Sequence, residues 1–315
     1  MKPTQFWKNF RLGEEIGVSG AFIYNGMRRF HEMRKLDCTD EVFEFLYNLS
    51  VGFERLLKIA VVLLEHDDTI DQDKLEKSLK THDHLALLAR VKKHVPISLA
   101  TPHNDLLRLL GSFYKSLRYD RFTLYSIYDP KKEIEEFCEF LSKHLKVDIP
   151  YDDMFGRRNE DRYKKFTQRT VVKISRVFYE IIREQAGALN LYTYELRHGS
   201  KAEAVFLGEI DIADEDILWK ELLVFFINTE STSGYLEFLR GIEPLDFDPE
   251  LVSEYLDCFR SNDAKSIVMG ELEAHYSELE EGRRGSRLKL MSVIGDPNVY
   301  FGSEEEEEEE ADFEP

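Results

Sequence analysis

YNLSVGFERLLKIAVVLLEHD, residues 47–67, decides how this chain folds. Leu49, Phe53, Leu56, Ala60 and Leu63 recur at spacings of four, three, four and three, which puts them on one face of a helix. The spacing predicts a helix over about 40–65. Glu54 and Lys58 lie four apart with the acid first, the favourable order for an ion pair on a helix. Asp40 is expected to cap the helix start, and HDDTIDQ (66–72) ends it.

Similar patterns continue downstream. A short helix is expected over Gln72–Leu79. Thr81 is expected to cap a helix beginning HDHLALLARV, and Pro96 to Pro102 mark a loop. Leu106, Leu107, Leu109, Leu110, Phe113 and Leu117 lie on the next helix, which leads into LRYDRF (117–122). Asp129–Pro130 opens another, with Ile134, Phe137, Cys138 and Leu141 on its apolar face. Upstream, a lead-in helix is read over about 20–35.

The segment 156–185, GRRNEDRYKKFTQRTVVKISRVFYEIIREQ, reads as a long amphipathic helix. Arg158, Arg162, Lys165, Arg169, Lys173 and Arg176 form a cationic stripe on it. Tyr163, Phe166, Thr170, Ile174, Val177 and Ile181 form the neighbouring apolar one. A short strand pair over Leu191–Arg197 and Ala204–Leu207 competes there with a continued helix. Helical patterns return at 217–226, 233–238, 250–259 and 262–280. GRRGSRLKL (282–290) reads as a basic loop, and the chain from Gly295 reads as a disordered acidic tail.

At 315 residues the chain is long enough for a sizeable core, and 43% hydrophobic content makes it globular. The net charge is −19; the run Glu304–Glu310 with Asp312 and Glu314 supplies nine of those charges, and −10 stays on the rest. An acidic body disfavours non-specific nucleic-acid binding over the whole surface, so any RNA site must be a local basic patch. Cys38, Cys138 and Cys258 are widely spaced and read as small core residues in a reducing compartment. No segment approaches ~18 consecutive apolar residues, so no membrane span is read. MKPTQFWKNF lacks an apolar signal region, and a cytoplasmic location is expected.

FERLLKIAVVL (53–63), THDHLALLARV (81–91) and LRYDRF, in that order, resemble the HEPN superfamily over about residues 38–147. In that family a Glu and a Lys four apart precede an apolar run, a short H-D-L-x-x-L segment follows, and the active-site helix begins where LRYDRF falls. The resemblance implies a mainly α fold. Its parts are a lead-in helix (1–37), a HEPN-like helical bundle (38–150), a second helical region (151–290) and the tail (291–315). Active members resembling this chain place a His after an Arg with four to six residues between. None of the nine histidines here has an Arg at that offset. The missing pair points first to a non-catalytic binding or regulatory protein of an anti-phage defence or toxin–antitoxin system, with a protein partner or homodimer. Two other readings stand beside it. One is a metal-independent RNase toxin with a non-standard site, built from Arg118, Arg121 and a histidine from elsewhere, such as His82 or His198. The other is an acidic mimic of nucleic acid.

Arg118, Asp120, Arg121 and His198 are therefore the candidate catalytic residues, and the stripe Arg158 to Arg176 is the candidate RNA-binding surface, with Tyr163 and Phe166 as stacking groups. An ion network fixing helix packing competes with the first, and a solvated face with core aromatics competes with the second. His82 and His84, two apart, would point to different sides of a helix, so no metal site is read, and no cofactor is assigned.

Overall fold

A computed structural model describes residues 2–120, 122–128, 131–151, 154, 156–209, 212–259 and 262–301. The chain is mainly α. No strand occurs among the described residues, and an isolated antiparallel bridge joins Lys35 and Arg158. No described helix is long and apolar enough to cross a membrane. Two compact units divide the chain, 1–216 and 217–315.

The first unit is built around α2 (Thr39–Glu65), most of whose 27 residues are buried. A helix apolar on more than one side must be covered on more than one side. Helix α1 (Leu12–Glu32) runs antiparallel along it after a short lead-in, Pro3–Arg11. The two approach closely through glycine. A Cβ at Gly52 would lie 2.6 Å from Ile23 Cγ1 and 3.2 Å from the Ser19 carbonyl oxygen. Ser19 Oγ in turn donates to the Gly52 carbonyl at 2.8 Å, which keeps the buried hydroxyl satisfied.

Three smaller pieces complete the bundle: α3 (Gln72–Leu79), α4 (His84–Lys92) and α5 (Thr101–Ser112). Helix α5 continues through a wide π turn, Phe113–Leu117, and a last short piece, Arg118–Asp120. Helix α6 (Lys132–Leu145) brings Phe137 against Phe30 of α1 and Phe45 of α2, with ring centroids 5.4 and 5.0 Å away. These three rings join three helices in one aromatic cluster.

Helix α7 (Asp161–Ala188) buries Tyr163, Val171, Ile174, Phe178 and Ile182 in the same core. The first unit therefore extends to Asp216, past the division expected at 150. The ambiguous stretch after α7 is helical: a 3-10 turn, Tyr194–Leu196, and α8 (Lys201–Leu207), whose first turn is capped by Ser200. Once a side chain caps the turn, the helix wins over an extended pair. Helix α9 (Ile212–Asn228) follows.

In the second unit lie α10 (Gly234–Arg240), α11 (Val252–Cys258), α12 (Asn262–Glu278) and α13 (Glu281–Val293). Helix α13 replaces the basic loop expected there. Gly282 and Gly285 face open space and cost little more than their propensity, and Arg, Leu, Lys and Met carry the helix. Beyond it, the Phe301 ring lies 4.7 Å from that of Tyr235. The glutamate run lies outside the described residues.

Two caps differ from expectation. Helix α2 starts at Thr39, so Asp40 sits inside its first turn and acts through its charge alone. Asp83 rather than Thr81 caps α4, accepting from the Ala86 N–H at 3.0 Å. The cysteines are free; Cys138 is buried and its thiol is pushed up to about 11, whereas Cys38 and Cys258 are only half-buried.

Candidate functional site

A cleft of about 260 Å³ opens beside α2, lined by Glu15, Glu54, Arg55, Lys58 and Tyr114 among others. Its chemistry starts from Glu54, a carboxylate only 8% exposed. A buried charge needs partners, and both oxygens have one. Oε1 accepts from Lys58 Nζ at 2.6 Å, and Oε2 meets His82 Nδ1 at 2.8 Å. A carboxylate only accepts, so in the neutral imidazole Nδ1 carries the hydrogen and Nε2 is the proton acceptor.

His82 comes from the loop between α3 and α4, and neighbouring bonds hold that loop. Asp83 caps α4 with one oxygen and accepts from Lys115 Nζ at 2.7 Å with the other. Those bonds, Lys115's first, hold the Asp83 carboxyl below its ordinary range. Lys115 belongs to the π turn, so the turn and the His82 loop are tied together.

Tyr114, on the same turn, links the remaining parts. Its ring centroid is 4.7 Å from that of His82, with the planes nearly perpendicular. The Arg118 guanidinium carbon sits 3.8 Å over the same ring and 4.6 Å from the Tyr119 ring. Burial, then the negative charge of Glu54, raises the Tyr114 phenol, which keeps its proton. Arg118 makes no ion pair among the described residues, and its Nε is buried without a hydrogen-bond partner. A cation and a tethered base thus share one aromatic ring, and that ring, with Glu54, lines the cleft.

The other expected residues fall elsewhere. Asp120 pairs with Lys132 at 3.5 Å. Arg121 lies outside the described residues. His198 is almost fully exposed and faces Glu203, which also meets Arg183. It does not line the cleft. The cationic stripe on α7 is partly used by the protein itself. Arg162 pairs with Glu160, Arg176 donates to the Leu207 carbonyl, and the backbone of Arg158 bridges to Lys35. Lys165, Arg169 and Lys173 are exposed, without ion pairs among the described residues. Tyr163 is buried and Phe166 packs against Phe140 and His144, so neither ring is open to a base.

His84 is structural. Its Nε2 is 2.8 Å from the Ser50 carbonyl, and its Nδ1 is buried with no partner beside Gly111. Burial lowers its pKa from the ordinary 6.5, outweighing the pull of Ser50 and Glu54. The unfolded chain therefore binds this proton first. Stability is full above 6.5 and falls as the pH drops below it, by up to about 1.4 kcal/mol per pH unit. Urea midpoints between about pH 7.5 and 5.5 are expected to show that slope, and His84→Gln to flatten it despite a lower midpoint at the upper end. A midpoint unchanged over that window would contradict a buried neutral imidazole.

No group of three or more His, Cys, Asp or Glu side chains suited to a metal ion occurs among the described residues. The spacing of Glu54 and Lys58 and the apolar run after them were visible in the sequence. Tyr114 and the pairing of Glu54 with His82 were not; the four-residue interval from Tyr114 to Arg118 was the one local signal. No family model, curated protein or solved structure matches the chain.

Proposed function

We propose that this chain is a HEPN-like protein whose cleft cleaves RNA with a non-standard acid–base group. One observation carries the proposal: His82, held at Nδ1 by Glu54, shares the Tyr114 ring with Arg118. Cleavage of RNA needs a base for the ribose 2′-hydroxyl and a cation for the phosphate, and these groups supply both. His82 Nε2 takes the hydroxyl proton, and the 2′ oxygen forms its bond to phosphorus. The bond from phosphorus to the 5′ oxygen breaks, and that oxygen takes a proton from solvent. A 2′,3′-cyclic phosphate and a 5′-hydroxyl result, and the imidazolium returns its proton to solvent. Glu54 stabilises the imidazolium, as a carboxylate does for a catalytic histidine.

Purified protein incubated with total RNA and tRNA in EDTA is expected to yield cyclic-phosphate ends. Arg118→Ala is expected to slow this by about 10²-fold, the cost of losing one charge-stabilising donor. A folded protein that leaves RNA intact would return precedence to non-catalytic binding or regulation. Helix α9 favours that second reading, because Leu218, Phe226 and Ile227 are more than half exposed on it. A defence or toxin–antitoxin setting, and pairing with a second copy, go with the family resemblance in either case. A mimic role for the glutamate run concerns residues outside those described.

A further inference from the structure

The segment after Arg118 is unlike the rest of the surface. Tyr119, Phe122, Leu124, Tyr125 and Ile127 are 54, 86, 79, 74 and 68% exposed. Water is a poor solvent for such a cluster, and an apolar patch of this kind marks a contact site. Its described residues bond to one another through their backbone. Phe122 N–H donates to the Tyr119 carbonyl, Thr123 N–H to Asp120, and Ser126 N–H to Thr123, at 3.0, 2.9 and 3.2 Å. Leu124–Tyr128 then closes as a 3-10 helix. With three residues per turn, side chains three apart share a side, which in this helix pairs Leu124 with Ile127; Tyr119 and Phe122 precede it.

Charge and position say what fits there. Residues 115–132 hold five Lys or Arg against two Asp, within a chain of net charge −19; Lys115 and Lys132 are paired with Asp83 and Asp120, and Arg118 is the cation set against the aromatics. Tyr119 touches the guanidinium of Arg118, which itself lies on Tyr114 of the cleft. The aromatic segment is therefore continuous with the phosphate-gripping cation. We infer that Tyr119, Phe122 and Tyr125 are a stacking platform for the unpaired bases of a nucleic-acid strand, which selects single strands over duplex. This rests on the cleft being a nucleic-acid site. Every base has a π-face, so the platform tolerates sequence; a duplex hides those faces in its own stack.

The test uses the full chain and a labelled 2′-O-methyl RNA strand of about twelve nucleotides, which has no free 2′-hydroxyl and so is bound but not cut. Fluorescence anisotropy is expected to give at least about tenfold tighter binding to the strand than to its duplex. Phe122→Ala/Tyr125→Ala is expected to weaken strand binding by at least about tenfold with an unchanged melting temperature, because both rings are exposed. Equal affinity for strand and duplex overturns the platform, as does strand binding unaffected by the double substitution. So does a double variant that alters only self-association in sedimentation, which would make the patch a contact between copies. Strand binding lost in the variant while the parent protein leaves unmodified RNA uncut would support the platform and reject the catalytic cleft. Cutting that persists with unaltered strand binding would do the reverse.

Discussion

Replacing His82 with alanine is expected to slow RNA cleavage by about 10²–10⁴-fold, the usual worth of a positioned acid–base group. The loss should appear in kcat with little change in KM, because Arg118 and the platform still hold the strand. The fold should survive. The imidazole is 47% exposed, and Glu54 keeps Lys58 as a partner after the substitution. Glu54→Gln separates positioning from chemistry: His82 remains, but the group fixing its tautomer and stabilising its charge is gone. An intermediate loss is expected there. Single-turnover rates and thermal melts of the two variants decide the matter, and a His82→Ala protein as active as its parent would remove His82 from the mechanism.

The largest effect on stability is expected from Gly52→Val, at about 3 kcal/mol or more. A Cβ at this position meets Ile23 Cγ1 at 2.6 Å, the Ile23 backbone nitrogen at 3.1 Å and the Ser19 carbonyl oxygen at 3.2 Å. Two of those atoms are backbone and cannot step aside without parting α1 from α2. The gain in helix propensity over glycine is at most about 1 kcal/mol and does not offset this. Gly26→Ala is the comparison. Its nearest contact, 2.9 Å, is Leu49 Cδ2, the end of a flexible side chain, although the Leu49 amide lies 3.2 Å away. A smaller loss is expected. Urea midpoints measure both, and a Gly52→Val protein as stable as its parent would mean the helices do not cross so closely.

Much of this architecture was legible because helices announce themselves locally. The run Leu49 to Leu63 fixed α2 nearly to its ends, and Gln72–Leu79 appears as expected. The apolar stripe on α7 said that Tyr163, Thr170 and Ile174 are covered, but no stripe says by which helix. The division at 150 therefore moved to 216. Turn chemistry misled at α13, where two glycines suggested a break that good helix formers on either side overrule. The site was legible only in halves. Glu54 and Lys58 are four apart on one helix, and Tyr114 and Arg118 on another, but His82 reaches Glu54 across 28 positions. A search for Arg and His on one helix cannot find a histidine that comes from an upstream loop.

The π turn Phe113–Leu117 gives the chain an asymmetric tolerance to length changes. Such a turn holds one residue more than an α turn. Removing Lys115 or Ser116, both exposed, would let the backbone heal into plain α-helix while the segments on either side keep their phase. Elsewhere in α5 a one-residue deletion would rotate everything after it by about 100° and turn Leu106 or Leu110 out of the core. The same healed helix would set Arg118 three residues after Tyr114 instead of four, an interval that keeps both on one side of the helix and shortens the reach from guanidinium to ring. The protein thus carries a position where its frame tolerates the loss of a residue.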